Sequence, residues 1–231
     1  MSYLKKYINK AAKIEANEIR AVLISFAFIF SLLAAYYIIR SVRDGMSSDW
    51  SDAELSTIWT FTFFISFLVV SFYGYICSKV KFKYLVPGVY GFFAISFVLL
   101  FLLINFFPEL NLINQIFYVW VSVFSLLNIS VFWSFMADTY NKEQAKRLFA
   151  FIASGSSLGA IFGPTISLLF ASRLGSNSLV LISAVMLIIP MMIAMYLNKI
   201  KATDLDNASS SEFNESEMSG KFWDGFAELL K

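Results

Sequence analysis

Two arginines and an aspartate stand together at the end of the first long apolar run of this chain. The run covers residues 21–39 and contains no charged residue, and Arg40, Arg43 and Asp44 follow it directly. If the helix continues, residues three and four apart share a face, so Arg40 can pair with Asp44 while Arg43 stays available. Guanidinium groups bind phosphate and carboxylate groups through paired N–H bonds. The spacing therefore indicates an anion-binding site.

A second interpretation of these charges is that they mark the end of a membrane span and extend to the lipid headgroups. Residue chemistry alone leaves both interpretations open. The distribution of Lys and Arg along the chain, described below, places this end of the run outside the cytoplasm. Arginines there run against the usual charge bias of membrane proteins, which favours binding.

Three small residues in the fifth apolar run predict a close helix contact. Gly155, Gly159 and Gly163 are four residues apart and share one face of a helix. Such strips let two membrane helices approach closely, and Pro164 adds a site at which the helix can kink. The strip is either a packing surface alone or also a surface that slides during a conformational change.

A third group joins the fourth and fifth runs. Asp138 ends the fourth run, and Lys142, Lys146 and Arg147 precede the fifth. Asp138 paired with these bases could close a gate, although an exposed pair contributes at most about 1 kcal/mol. Ordinary charges that fix the topology explain the same residues equally well.

Few other polar groups lie within the runs. Tyr37, Asn128 and Trp133 are further candidate substrate-binding residues, and Asn128 and Trp133 could line a cavity. No acidic residue lies in the middle of a run, which disfavours a proton relay. The chain has no histidine and one cysteine, Cys77. We expect no metal, no cofactor, no nucleic-acid partner and no enzymatic activity.

The elements that must position these residues are transmembrane helices. The chain is 58% hydrophobic and 15% charged, whereas soluble domains are about 25% charged. Its uncharged runs reach the ~20 residues that a spanning helix needs and are too long for barrel strands. The sequence therefore predicts an all-α polytopic membrane protein. Its six predicted spans are at about 21–46, 55–78, 84–108, 112–138, 147–172 and 175–199.

Lys and Arg concentrate in alternate loops, which predicts that both termini lie in the cytoplasm. Residues 1–20 form a basic, amphipathic N-terminal segment and residues 21–201 form the bundle. Residues 202–220 are a polar linker, and residues 221–231 begin an amphipathic helix that breaks off in mid-pattern, as in a fragment or a short terminal helix.

Two segments carry a family resemblance. AAYYIIRSVRDGM, at 34–46, resembles the end of the first helix in the ATP:ADP antiporters of bacteria and plastids, which are nucleotide translocases of major-facilitator type. The stretch 132–164 is similar to their helix 4–5 region. Arg40, Arg43 and Asp44 match the family pattern, with Arg43 standing where the exchangers commonly have Lys.

The resemblance implies one six-helix half, a 3+3 inverted repeat, of a twelve-helix major-facilitator fold. It implies an alternating-access transporter in the bacterial inner membrane that moves a small anion and exchanges nucleotides such as ATP and ADP. The second half would come from the same polypeptide or from another subunit. Two alternatives are a major-facilitator carrier of another solute and a six-helix membrane scaffold that does not transport.

Overall fold

The computed structural model describes residues 14–77 and 79–205, and every regular element in these ranges is an α-helix. Six helices are long and apolar enough to cross a membrane, which confirms the predicted number of spans. The sixth span is divided into two helices. The helices are α1 (Ile19–Met46), α2 (Asp52–Cys77), α3 (Phe82–Phe106), α4 (Asn111–Thr139), α5 (Lys142–Leu174), α6 (Ser176–Met186) and α7 (Ile188–Asp204).

α1 is the central helix of the bundle. It packs extensively along α5 and also contacts α4, α6 and α7. In its most apolar window 61% of residues are buried, against 11% for α2. α2 packs on α4 and leaves large aromatic side chains such as Trp59, Phe63 and Phe67 uncovered. Such a surface suits hydrocarbon, because lipid tails are as apolar as the side chains that meet them.

Proline interrupts the sixth span but not the fifth. α6 ends at Met186 and α7 begins at Ile188, with Pro190 in the first turn of α7. Pro190 has no N–H to donate to the carbonyl of Met186, and its ring crowds that carbonyl, which accounts for the break. α5 runs without interruption through Pro164, where the sequence had predicted a kink site.

α5 begins at Lys142, five residues before the predicted start at 147, because a capping box opens the helix. The Asn141 side chain accepts hydrogen bonds from the backbone N–H groups of Glu143 and Gln144, and the Gln144 side chain accepts one from the Asn141 N–H. At its other end, Gly175 adopts a φ of 79°, a conformation that favours glycine, and turns the chain into α6.

The bundle has two ends, named here by their charged residues. The Glu18 end holds the starts of α1 and α5 and the ends of α4 and α7, and the Arg43 end holds the end of α1 and the starts of α2 and α4. Most of the predicted N-terminal segment, and the chain from residue 206 onward, lie outside the described residues. α7 itself extends to Asp204, into the predicted linker.

Candidate functional site

Arg43 points from α1 toward α4 and is held on three sides. Its Nη2 and Nε donate to Oδ1 of Asp44 at 2.6 and 2.9 Å. Its Nη1 donates to the Ser122 hydroxyl at 3.3 Å, and its guanidinium lies 5.1 Å from the ring centre of Tyr118. The Ser122 hydroxyl donates its own proton to the Tyr118 carbonyl, so its oxygen is free to accept. The Arg43 side chain is only 13% exposed.

Tyr118 is in turn fixed by α2 and by the turn before it. The indole N–H of Trp59 donates to the Tyr118 hydroxyl at 2.9 Å. The Trp50 ring lies 5.5 Å from the Tyr118 ring. Both contacts anchor the aromatic face against which Arg43 rests, so three helices define the position of one guanidinium.

Arg40 pairs with Asp44, as its spacing predicted, but it is held less tightly than Arg43. Its Nε lies 3.4 Å from Oδ2 of Asp44, and its guanidinium lies 5.6 Å from the Tyr37 ring centre. Its side chain is 43% exposed. Asp44 was expected to hold Arg40 and leave Arg43 available. Instead Asp44 makes its short contacts with Arg43, which also reaches Ser122 on α4.

The glycine strip lies beneath this site and sets the distance between α1 and α5. A Cβ atom at Gly155 or Gly159 would lie 2.7 or 2.5 Å from a backbone carbonyl oxygen of α1. At Gly163 it would lie 2.7 Å from the Cβ of Tyr37, the residue whose ring underlies Arg40. The two backbones are therefore in direct contact up to the level of the arginine site.

Asn128 and Trp133 do not join the arginines. At the helical rise per residue, Asn128 lies about 9 Å further along α4 than Ser122, and Trp133 lies about 16 Å further. The Asn128 side chain is buried, and its amide has no hydrogen-bond partner within the described part of the chain. Trp133 is half-buried, and its ring is tilted against that of Phe149 of α5, with ring centres 5.3 Å apart.

The charges at the Glu18 end pair differently from the sequence-based expectation. Asp138 accepts from the Lys201 ammonium at 2.9 Å, which ties α4 to α7, and both side chains are almost buried. Arg147 contacts both carboxylate oxygens of Glu18, at 2.9 and 3.3 Å, which ties α5 to the start of α1. The expected pairing of Asp138 with the bases at the start of α5 is therefore wrong for Arg147. Lys146 is exposed.

The arginine site also contains residues that sequence reasoning did not select. Tyr118 and Ser122 are one helical turn apart on α4, and that spacing was the available signal. Trp50 and Trp59 flank the start of α2 and gave no pattern of their own. Lys201 is one of the bases that follow the sixth apolar run in the sequence, and the structure buries its side chain at the end of α7.

The comparisons with known proteins identify no relative. No model of a known protein family matches the chain, and neither curated proteins nor solved structures give a match. Among the described residues, no three or more His, Cys, Asp or Glu side chains are grouped so that they could hold a metal ion. The geometry of the arginine site is therefore the basis of the proposed function.

Proposed function

We propose that this bundle is one half of an alternating-access membrane transporter of major-facilitator type that carries a small anion. Exchange of nucleotides such as ATP and ADP is the leading candidate. The second half is six further helices, from the same polypeptide or another subunit. The proposed location is the bacterial inner membrane, with both termini in the cytoplasm.

The observation that carries the proposal is the Arg40–Arg43–Asp44 group. Two guanidinium groups and one carboxylate leave a net charge of +1 at the end of a transmembrane helix. Arg43 is oriented in advance by Asp44, Ser122 and Tyr118. Arg40 is more exposed and more loosely paired, so it can turn toward an incoming anion. One fixed and one movable guanidinium suit a phosphate group, which accepts hydrogen bonds from several directions.

Most contacts between the helices are compatible with an inverted repeat, although the α5–α6 contact has no comparable counterpart between α2 and α3 within the ranges described. An inverted repeat would exchange α1 with α4, α2 with α5, and α3 with the sixth span. Under this exchange the α1–α5 contact corresponds to the α4–α2 contact. The contact of α1 with the sixth span likewise corresponds to the α4–α3 contact. The α1–α4 contact and that of α3 with the sixth span map onto themselves. Helices exchanged in this way run in opposite directions, as in the nested repeats of transporters.

Counterflow tests the transport proposal. The protein from its full natural reading frame would be reconstituted into vesicles loaded with unlabelled ADP, and labelled ATP would be added outside. We expect label to accumulate only with internal ADP, and Arg43→Gln to raise the half-saturation concentration about 10- to 100-fold, the loss of a charge-assisted hydrogen bond. Arg173→Gln is the matched control, because Arg173 is an exposed arginine at the same end of the bundle.

Three results would contradict parts of the proposal. An unchanged half-saturation concentration in Arg43→Gln would remove Arg43 from the site. No ATP accumulation, with correct insertion shown separately, would exclude nucleotide exchange and direct the search to other organic anions. If no anion in such a screen accumulates, the bundle is better described as a membrane scaffold.

A further inference from the structure

An open groove separates α2 from α3, although the two helices are consecutive. α2 packs on α4, whereas α3 packs on α4, α6 and α7, so the two helices part from each other. The space between them has a volume of about 510 Å³, within the ~300–1,000 Å³ usual for ligand sites. Its walls are almost entirely apolar and include Val69, Phe72, Ile76, Tyr84, Gly88 and Trp120.

The groove has about the length of one lipid leaflet and begins at the Glu18 end of the bundle. Its α3 wall runs from Tyr84 to Phe93, which is about 13 Å at the helical rise per residue. Half of a ~30 Å hydrocarbon core is about 15 Å. The groove starts at Val80 and Tyr84, beside the turn that joins the two helices at the Glu18 end. The Trp120 indole N–H is already bonded to Ser96, so the Trp120 ring needs no polar partner from a ligand.

The mouth of the groove is positively charged. Lys79, Lys81 and Lys83 are all exposed there, and the Lys83 ammonium lies 4.9 Å from the ring centre of Tyr84, a residue of the groove wall. No acidic residue occurs in the sequence between Glu54 and Glu109. α3 also begins at this mouth with no side-chain cap on its first turn, and a helix N-terminus attracts negative charge.

We infer that this groove binds an anionic phospholipid, with one acyl chain between α2 and α3 and the phosphate among the three lysines. The apolar walls would accept an acyl chain of any phospholipid. Clustered lysines next to a membrane select headgroups with net negative charge, so the lysines supply the selectivity. The inference is independent of transport, because it uses none of the residues of the arginine site.

Native mass spectrometry of the full-length protein tests this site. The protein would be released from membranes containing equal amounts of phosphatidylglycerol and phosphatidylcholine, and the retained lipid would be titrated. We expect phosphatidylglycerol to be retained preferentially. The triple variant Lys79→Gln, Lys81→Gln, Lys83→Gln should lower its affinity on the order of 100-fold, from about fivefold for each lysine.

A second variant fills the groove without removing charge. Gly88 lines the groove, and a Cβ there would meet nothing within 4 Å, so we expect the ring in Gly88→Phe to occupy the groove. We expect it to prevent retention of either lipid. Gly45→Phe is its control, because Gly45 is equally open but lies at the other end of the bundle.

The control for the lysines is a second exposed triplet at the same end, in Lys142→Gln, Lys146→Gln, Lys199→Gln. The site would be supported if this control and Gly45→Phe retain phosphatidylglycerol while the lysine triple variant of the groove and Gly88→Phe lose it. Equal loss in the lysine control would show a general attraction of basic surfaces and overturn it. Equal retention of phosphatidylcholine by the unmodified protein would also overturn it.

Discussion

Arg43 combines charge with fixed geometry, and the two can be separated by experiment. Its guanidinium contacts a carboxylate, a hydroxyl and an aromatic ring at once. The planar fork of arginine allows this, because its N–H groups point in several fixed directions. A lysine ammonium at the same position would keep the charge but would lose the paired contacts with Asp44.

Arg43→Lys should therefore weaken anion binding, although it keeps the positive charge. If the bundle transports an anion as proposed, the half-saturation concentration of Arg43→Lys should be several-fold above that of the unmodified protein and below that of Arg43→Gln. The variant retains the charge of arginine but loses its fork of N–H groups. The measurement is the concentration dependence of counterflow in proteoliposomes. Full recovery by lysine would mean that only the charge of Arg43 matters and that its contacts with Ser122 and Tyr118 do not.

Of the three glycines in the strip, Gly159 leaves the least room for a side chain between α5 and α1. In Gly159→Ala the new methyl group would lie 2.5 Å from the Phe30 carbonyl oxygen and 3.0 Å from the Ala34 amide nitrogen. Backbone atoms cannot rotate away, so the helices must separate. We expect a loss of about 1–3 kcal/mol in the free energy of unfolding, read as a lower midpoint of thermal unfolding in detergent.

The matched control for Gly159→Ala is Gly88→Ala. Gly88 also lies inside a helix, but a Cβ there would meet nothing within 4 Å. Alanine favours the helix over glycine by up to about 1 kcal/mol, so this variant should be neutral or slightly stabilising. Equal destabilisation of both variants would contradict the close contact at Gly159.

At the scale of elements, ion pairs at the Glu18 end join helices within this bundle. Lys201 and Asp138 link α7 to α4, and Arg147 and Glu18 link α5 to α1. Glu18 and Lys201 are almost completely buried. A buried charge that loses its partner is costly, so these pairs fix how the helices are arranged at this end.

Asp138→Asn should destabilise the bundle by about 3–5 kcal/mol, because it leaves the Lys201 ammonium buried without a counter-charge. The double variant Asp138→Asn, Lys201→Met removes both charges and should recover most of the loss. Thermal unfolding of the two variants provides the comparison. Glu143→Gln, an exposed carboxylate at the same end, is the control, and an effect of Asp138→Asn no larger than that of Glu143→Gln would mean that the pair is solvated.

The number of helices long enough to span a membrane was predictable from the sequence, because each one appears as a long run of apolar residues. Helix ends were less predictable. The first turn of α5 is polar and lies outside the apolar run, although the Asn141 and Gln144 of its capping box can be recognised in the sequence. The partners of charged residues were not predictable, since Asp138 and Lys201 are far apart in the chain and meet only when α4 and α7 pack.

At the scale of the whole molecule, the orientation of the helix bundle in the membrane can be tested with a single labelling reagent. Ser48 lies in the exposed turn between α1 and α2 at the Arg43 end, and Lys142 lies exposed at the start of α5 at the Glu18 end. The alternation of basic loops predicts that the Glu18 end lies in the cytoplasm, because basic loops tend to be retained there. Single cysteines at these positions would be introduced after Cys77→Ser, which removes the one native thiol.

A membrane-impermeant maleimide should label Ser48→Cys in intact spheroplasts and Lys142→Cys only after permeabilisation, since the two thiols lie at opposite ends of the bundle. The reversed pattern would keep the fold and invert the orientation, so that the arginine site would open to the cytoplasm. Labelling of both thiols from one side would contradict the membrane-spanning arrangement itself, because no rotation of this bundle in a bilayer brings Ser48 and Lys142 to the same surface.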